Sequence, residues 1–510
     1  MQSLLHNCSI KTKISINFDM KKFVLLCLSF VLIFGCTACK KKDNLDKLSK
    51  ELSTYSINLD IDTTTHAVQA YEELNYKNNT NTVLKTIKFH LYPQFFKEGA
   101  TQNVVSNIHL NEAYPHGMSY SEFDVSRVVI NGENSAVVYS GEHNGILNVE
   151  LTNSLLPNEN IKLEFYFSFT LPNCCHRFGY GDNTMNLGNF YIIACVFENG
   201  AFNESGYHAN GDPFYSDMAN YNVNVKYPSN YTIASSGQRT SFKTESNINS
   251  ATYQAKMVRD FALVLSDKFE VKTGKVNNTT IEYYYFNDPN ADKSLQAGID
   301  AITTFNKLFG EYPYKTFSIV KTDFVYGGME YPNLVMISAD IDNLDDYMNV
   351  IIHETAHQWW YGLVGNNEYK YPWLDEALTE YSTLLFYDNN NGYNLKHSEM
   401  LNATKSNYTL FITVYQDVLG TIDTSMRAVD EYSTEPEYTY CTYVKGVLMY
   451  ESLYQLIGEK KFLSGLKNYF ENYKFKNAEP INLIFSFEEE AKTELKNFFD
   501  SWIKGKVVIR

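Results

Sequence analysis

Two histidines four residues apart, His353 and His357, are the residues whose spacing first suggests chemistry. They flank Glu354 in the segment His-Glu-Thr-Ala-His. In an α-helix, residues four apart lie on one face, so both imidazoles can reach a single metal ion. Glu354 then lies beside the ion, where its carboxylate can take the proton of a zinc-bound water. The segment therefore predicts a helical zinc site with Glu354 as the general base.

A third ligand is needed, and Glu376 is the candidate because it lies on a second helical segment, WLDEALTEY, after a break at Tyr371-Pro372. Eighteen residues, 358–375, separate it from His357. Two imidazoles and one carboxylate would leave the fourth zinc position open for water. One turn later, Glu380 either bonds to a ligand histidine or lies on a solvated face.

The helix that carries both histidines must be positioned by its ends. Asp345 and Asp346 are residue types that cap a helix at its start, and Gly365 is the type that ends one. The apolar residues between them recur at helical spacing. We therefore expect one helix that continues from these aspartates almost to Gly365.

The rest of the chain falls into two parts with different sequence patterns. From 53 to 271, short β-rich runs alternate with turn residues, which predicts an all-β saddle or sandwich. From 272 to 510, strands mix with amphipathic helices, which predicts an α+β domain that carries the zinc residues. The predicted fold is thus multidomain, with the all-β domain first.

Composition excludes several classes of protein. The chain has 510 residues, 44% hydrophobic residues and 15% aromatic residues, so it can bury large cores and is not disordered. Its 43 Lys+Arg against 59 Asp+Glu give a formal charge of −16, which argues against nucleic acid as a partner. Neutral or cationic partners are expected.

The segment 1–39 is typical of an export leader. Met20 opens a pattern of two lysines, an apolar run of 12 residues and small residues with cysteines, so Met20 is the expected true start. The end of this run resembles a bacterial lipoprotein signal in which either Cys36 or Cys39 takes a lipid. The expected location is the outer face of the cell membrane, with 40–52 as a tether, and plain secretion after cleavage near Ala38 is the alternative.

Four cysteines remain after the leader: Cys174, Cys175, Cys195 and Cys441. Their spacing fits neither a zinc framework nor a disulfide scaffold. A bridge from Cys174 or Cys175 to Cys195 is possible, and buried thiols are the expected state.

Together the motifs resemble the aminopeptidase N family of gluzincin zinc metallopeptidases, with a hallmark of HExxH, 18 residues and Glu. The segment 327–330, Gly-Gly-Met-Glu, resembles the family's GxMEN strand, and 443–446, Tyr-Val-Lys-Gly, resembles its YxKG segment. In the β domain, HLYPQF and GDPFYSDMANYNV are similar to segments of bacterial relatives. The likeness runs from about residue 53 to the end of the chain.

The resemblance implies a thermolysin-like catalytic domain with one zinc ion per chain. It implies that Glu330 holds the free amino terminus of a peptide, and that the backbone of Gly327, Gly328 and Met329 pairs with the substrate along a strand edge. Tyr443 would donate a hydrogen bond to the oxyanion. The expected activity is removal of N-terminal residues from peptides.

Two departures keep alternatives open. The asparagine of GxMEN is Tyr331 here, followed by Pro332, and the chain stops without the family's helical C-terminal domain, so an open cleft is expected. A gluzincin endopeptidase or another zinc hydrolase is one alternative. A non-catalytic surface scaffold with the peptidase fold is the other.

Overall fold

The structure is a computed structural model and describes residues 45–100, 104–416, 418, 420 and 423–507. Leu45–Arg510 belong to one compact unit. The predicted leader, with Met20, Cys36, Ala38 and Cys39, lies outside the described residues. Among the described helices, none is long and apolar enough to cross a bilayer.

The first half is built from strands, as predicted. In chain order they are β1 (Thr54–Asp62), β2 (Ala67–Lys77), β3 (Leu84–His90), β4 (Phe123–Ile130), β5 (Glu133–Ser135), β6 (Val138–Ser140), β7 (Ile146–Leu155), β8 (Asn160–Thr170), β9 (Phe178–Tyr180), β10 (Met185–Leu187), β11 (Ile193–Ala194), β12 (Phe197–Glu198), β13 (Ala201–Phe202), β14 (Ala219–Pro228), β15 (Thr232–Ser235), β16 (Gln238–Glu245), β17 (Ile248–Val258) and β18 (Leu263–Ser266).

Eight of these strands form the largest sheet, in the order β16-β17-β14-β1-β2-β8-β4-β5. All neighbours are antiparallel except β1 and β14, which run parallel. Buried and accessible residues alternate along β2 and β8 because only one face of the sheet packs on the core. Smaller sheets, β15-β18-β10-β9 and β11-β3-β7-β6, complete this half.

The second half mixes strands with helices, so the predicted order of an all-β part and an α+β part is confirmed. Its strands are β19 (Glu270–Val276), β20 (Thr279–Tyr285), β21 (Thr316–Thr322), β22 (Gly328–Met329), β23 (Leu334–Ser338), β24 (Val364–Gly365) and β25 (Lys476–Asn477). The first five form one sheet in the order β19-β20-β21-β23-β22. The predicted boundary after 271 falls inside β19, whose pairing with β20 assigns it to this sheet.

The described helices are α1 (Leu45–Leu48), α2 (Leu110–Ala113), α3 (Ala291–Leu308), α4 (Leu344–Ala356), α5 (Trp373–Asn389), α6 (His397–Phe411), α7 (Glu435–Thr439), α8 (Lys445–Ile457), α9 (Glu459–Tyr473), α10 (Pro480–Ala491) and α11 (Lys496–Ile503). Two π-helical turns, Ile412–Gln416 and Tyr440–Val444, extend α6 and precede α8. Short 3-10 turns occur at Ser49–Glu51, Tyr92–Phe96, Glu142–Asn144 and Val429–Glu431.

The stretch 45–51, which the sequence analysis placed in a tether, is helical and packs on the β-rich half. Asn220 Nδ2 donates to the Ser49 carbonyl at 2.8 Å, and Lys256 pairs with Asp46 at 2.6 Å. Within the predicted tether 40–52, the stretch 45–51 is therefore part of the folded unit.

The four cysteines after the leader are free thiols. Cys174, Cys195 and Cys441 are buried, and Cys175 is half-buried. The expectation of buried thiols fits three of the four, and the possible bridge to Cys195 is not formed.

Candidate metal centre

Helix α4 presents the two histidines, but it is capped and ended differently from the prediction. Its cap is Asn343, whose side chain accepts hydrogen bonds from the N–H groups of Asp345 and Asp346 at 2.8 and 3.1 Å. The helix ends at Ala356: the N–H groups of Gln358 and Trp359 bond three residues back, and those of Gly362, Leu363 and Val364 bond five residues back. The predicted end at Gly365 was wrong.

His357 is the residue that closes α4, and its backbone is still helical with φ −58° and ψ −18°. It therefore keeps the i, i+4 relation to His353, and the two Nε2 atoms lie 3.2 Å apart. Glu376, in the first turn of α5, places its Oε2 3.1 Å from His357 Nε2 and 3.5 Å from His353 Nε2. The three predicted ligands are thus brought together.

This geometry fits zinc. Ligand atoms about 2.0–2.1 Å from one tetrahedral ion are separated from each other by about 3.3 Å. The three separations in the structure, 3.1, 3.2 and 3.5 Å, lie on both sides of that value. Two imidazoles and one carboxylate are also a common donor set of catalytic zinc sites, which keep one position open.

Each histidine is oriented through its other ring nitrogen. His353 Nδ1 lies 2.8 Å from Glu380 Oε2, so the alternative in which Glu380 bonds to a ligand histidine describes the structure. His357 Nδ1 lies 3.0 Å from the Trp360 carbonyl oxygen and 3.2 Å from Thr379 Oγ1. Such contacts fix the ring so that Nε2 faces the metal.

Glu354 is buried beside these ligands and packs against a glycine. A Cβ atom on Gly328 would lie 2.4 Å from Glu354 Oε1, so only glycine fits here. Within the described chain, Glu354 Oε2 has no hydrogen-bond partner. Burial raises the pKa of Glu354 to about 7, although both imidazoles act in the opposite direction.

Glu330 follows the edge strand β22, as the resemblance to GxMEN implies. Met329 pairs with Met336 of β23, which leaves Gly328 and Met329 at the outer edge of the sheet. Glu330 is 3% exposed, and its Oε1 makes no hydrogen bond to any described residue. Burial, and then the charge of Asp212, raises the pKa of Glu330 well above its ordinary value.

The departure at Tyr331 is built into the fold. Its phenol is fully buried and donates to Asn189 Oδ1 at 2.5 Å, in a space that a Cβ on Gly188 would fill. Gln358 donates from Nε2 to the Tyr331 carbonyl at 3.2 Å and accepts at Oε1 from the Asn333 N–H at 2.7 Å. The loop that carries Glu330 is therefore fastened on both sides.

Asp212 is a site residue that sequence reasoning missed. Carboxylate oxygens of Asp212, Glu330 and Glu376 lie within 4.8 Å of one another, and Arg177 forms an ion pair with Asp212. Both Asp212 and Arg177 come from the β-rich half. The segment GDPFY carried a signal through its family likeness, but nothing in it singled out the aspartate.

Tyr443 contacts the proposed ligand set directly. Its hydroxyl donates to Glu376 Oε1 at 2.5 Å, and its ring lies over the His353 ring with centroids 6.3 Å apart. The glycine of the same motif, Gly446, allows α8 to approach α5, because a Cβ there would lie 2.1 Å from Ala377 Cβ. The motif thus combines one site residue with one packing residue.

These groups line a cavity of about 420 Å³. Its charged lining is mainly acidic and comprises Asp212, Glu330, Glu354, Glu376, Glu380, Glu435 and Arg177. A cationic ligand group is therefore favoured over an anionic one.

Residues 294–502 match the peptidase family M1 domain. The chain is also similar to "Leucine aminopeptidase 2-1" of Meyerozyma guilliermondii, with 27% identity over 205 residues, which are 36% of this chain and 31% of that protein. "Leucine aminopeptidase 2" of Yarrowia lipolytica is 22% identical over 413 residues, 75% of this chain and 60% of that protein. The first of these matches spans about a third of its relative.

Among solved structures, the M1 zinc metallopeptidase from Deinococcus radiodurans is similar in fold. The TM-score is 0.63 with 16% identity, over 90% of this chain and 95% of that one. The match covers the β-rich half as well as the α+β half. Residues 294–502 therefore carry a peptidase family M1 domain, and the chain is similar to the aminopeptidase N-like gluzincins.

Proposed function

We propose that this chain is a zinc-dependent aminopeptidase that removes N-terminal residues from peptides. The observation that carries the proposal is the cavity in which His353, His357 and Glu376 converge beside two buried carboxylates, Glu354 and Glu330. Each of these two carboxylates has an oxygen without a partner in the described part of the chain. Buried carboxylates without partners are costly, so both are expected to meet groups of the substrate or water.

Recognition of the amino terminus follows from the charges around Glu330. Burial disfavours the ionised form of this carboxylate, and the neighbouring carboxylate of Asp212 disfavours it further. An α-ammonium group between the two would reverse both effects, because it supplies positive charge and three N–H donors. A neutral, acetylated amino terminus lacks this positive charge and would not favour the ionised form of Glu330.

When bound, zinc supplies Lewis-acid polarisation of the scissile carbonyl and makes water a better nucleophile. Glu354 accepts a proton from the attacking water as the new C–O bond forms. The same carboxyl group then gives that proton to the leaving amine as the C–N bond breaks. Gly328 permits this role, because any side chain there would collide with Glu354.

Tyr443 supplies the remaining group. Its phenol donates to Glu376 Oε1 and lines the cavity next to the ligands. By rotation about its C–O bond, the hydroxyl can instead donate to the oxyanion that develops on the scissile carbonyl. A donor directed at this oxygen stabilises the transition state more than the ground state.

The comparisons support peptides as substrates. Two relatives are called leucine aminopeptidases, and a variant of the Deinococcus radiodurans metallopeptidase was solved with the substrate Tyr-Ser-Ala. The rates on a panel of aminoacyl fluorophores measure which N-terminal side chain this chain prefers.

The test is Glu354→Gln, measured by zinc content and by release of aminoacyl fluorophores. The variant should bind one zinc per chain and lose nearly all turnover, because an amide cannot transfer the proton. Glu282→Gln is a matched control, since Glu282 lies on β20 and accepts from the Tyr284 hydroxyl at 3.0 Å. Normal turnover by Glu354→Gln, or wild type without zinc, would contradict the proposal.

The alternatives are separated by the substrate. An endopeptidase would cleave N-acetylated peptides as readily as free ones, and a non-catalytic scaffold would cleave neither. The tyrosine at 331 leaves the loop of Glu330 held in place, because its phenol bonds to Asn189 and its carbonyl accepts from Gln358.

Single occupancy by zinc and membrane anchoring are further parts of the proposal. Every group of three potential ligands in the described chain includes His357 or Glu376, which supports one zinc ion. The leader residues Cys36 and Cys39 support a lipoprotein at the outer face of the membrane, with secretion as the alternative. Palmitate labelling of the wild type and of each Cys→Ser variant tests the anchor.

A further inference from the structure

Tyr361, four residues after the second histidine ligand, has a backbone conformation that tyrosine rarely adopts. Its φ is +127°, in the region that favours glycine. Its side chain is 1% exposed, so the residue is enclosed on all sides. A buried aromatic residue in this conformation must be held there by its surroundings.

The angle φ of Tyr361 sets the direction of the peptide group between Trp360 and Tyr361. Both polar atoms of that peptide group are within hydrogen-bond distance of a partner. Its carbonyl oxygen, on Trp360, lies 3.0 Å from His357 Nδ1, and its N–H, on Tyr361, donates to the Val364 carbonyl at 2.9 Å. A change of φ would therefore turn the carbonyl away from the histidine.

This carbonyl determines which histidine nitrogen faces the metal. A carbonyl only accepts hydrogen bonds, so it requires the proton of His357 to be on Nδ1 and leaves Nε2 free as a ligand. Thr379 Oγ1, 3.2 Å from the same nitrogen, cannot impose this choice because a hydroxyl both donates and accepts.

The phenol of Tyr361 is anchored in the β-rich half. Its hydroxyl donates to Asp260 Oδ2 at 2.5 Å, two residues after β17. Asp260 is 1% exposed, and its Oδ1 lies 3.4 Å from both Asn189 Nδ2 and the Tyr191 hydroxyl. The anchor point is thus itself held in place.

The same anchor reaches the loop of Glu330. Asn189, which contacts Asp260 through Nδ2, accepts the Tyr331 phenol at Oδ1. One buried group of side chains therefore supports the residues behind His357 and those behind Glu330.

We propose that Tyr361 is a positioning residue for the zinc site: its bond to Asp260 holds the unfavourable φ, and this φ directs the Trp360 carbonyl at His357. The inference rests on the proposed zinc site. Zinc affinity is therefore measured apart from turnover, by competition with a chelator and by the visible spectrum of the Co²⁺-substituted protein.

The decisive comparison is Tyr361→Ala against Tyr361→Gly. Both remove the ring and the phenol, but glycine adopts φ +127° freely and alanine does not. The alanine variant should bind zinc about 10–100-fold more weakly than wild type, as expected when a partner of a ligand is lost. The glycine variant should bind several-fold more tightly than the alanine variant, and equal affinities would overturn the proposal.

Milder variants keep the test valid if those proteins do not fold. Tyr361→Phe should weaken zinc binding about tenfold and alter the Co²⁺ spectrum, whereas Asp260→Asn, which retains an acceptor oxygen, should bind zinc nearly as wild type does. Tyr285→Phe is the matched control, because that phenol on β20 donates to Glu270 Oε2 on β19 at 3.2 Å. If Tyr361→Phe and Tyr285→Phe leave zinc affinity equally unchanged, the proposal is wrong; if wild type binds no zinc, the proposed function itself fails.

Discussion

The Tyr443 hydroxyl lies 2.5 Å from Glu376 Oε1, so a phenol proposed to bind the oxyanion is bonded, before substrate arrives, to a proposed zinc ligand. Glu376 uses its other oxygen, Oε2, toward the two histidines. The carboxylate therefore joins the metal side of the site to the oxyanion side. This contact explains how a residue 67 positions away along the chain is held in register with the ligands.

Tyr443→Phe should lower kcat by about 10²–10³-fold and change KM much less, because the lost donor acts mainly in the transition state. Zinc content should stay at the wild-type value. Tyr440→Phe is the control from the same π-helical turn, since that ring stacks on Phe411 instead. A change confined to KM would contradict the role assigned to Tyr443.

Glu330→Gln should lower kcat/KM for free aminoacyl substrates by about 10–150-fold, the equivalent of one hydrogen bond to a charged group, about 1.5–3 kcal/mol. The rate on N-acetylated peptides should remain at its low wild-type level. An equal loss on both kinds of substrate would show that Glu330 does not recognise the amino terminus.

Glu380→Gln should weaken zinc binding by about 10–100-fold, because the carboxylate bonded to His353 Nδ1 makes that imidazole a stronger ligand. Chelator competition measures the effect. Glu282→Gln again serves as the control, and identical zinc affinity in both variants would remove Glu380 from the site.

Gly446→Ala should destabilise the fold by about 1–3 kcal/mol, because the new methyl group collides with Ala377 between α8 and α5. Urea unfolding measures the change. Gly392→Ala, where nothing lies within 4 Å of the added Cβ, should stay within about 0.5 kcal/mol of wild type. Adding Ala377→Gly to Gly446→Ala should restore part of the loss, and no restoration would place the collision elsewhere.

Asp260→Asn should change how stability depends on pH. Burial raises the pKa of Asp260 from 3.8 to about 6, against the hydrogen bonds from Tyr361, Tyr191 and Asn189 and the charge of Arg259. A raised carboxyl pKa means that the folded state holds a proton which the unfolded state has released. This proton therefore contributes to the free energy of unfolding below about pH 4, and its contribution is lost as the pH rises to about 6.

Asparagine removes this loss, so the free energy of unfolding of Asp260→Asn relative to wild type should rise by about 3 kcal/mol between pH 4 and pH 6. Above pH 6 the difference should be constant. Urea unfolding at a series of pH values measures it, and a difference that falls across this range would refute the assignment.

The ligand set was predictable because it depends on local geometry. The i, i+4 spacing of His353 and His357 places both rings on one face of any helix, and the second helix brings Glu376 back to them. The strand with Glu330 and the turn with Tyr443 were predictable only through their likeness to family motifs.

The remaining parts depend on contacts between distant segments, which spacing does not encode. Asp212 reaches the cavity because the β-rich half packs there, and Tyr361, beyond the end of α4, bonds to Asp260 of that half. The φ of +127° at Tyr361 could not be predicted from the sequence, since this conformation depends on the bond to the buried Asp260. Asn343 was overlooked as a cap although its residue type suits that position.

The anchoring of Tyr331 and Tyr361 in Asn189 and Asp260 has a consequence for how this protein can be divided. A fragment that begins at 272 would keep every proposed zinc ligand and lose both anchors, as well as Arg177 and Asp212. A portable unit therefore has to include both the β-rich half and the α+β half. Exchange of the β-rich half between relatives should succeed only when the partners of these two tyrosines are exchanged with it.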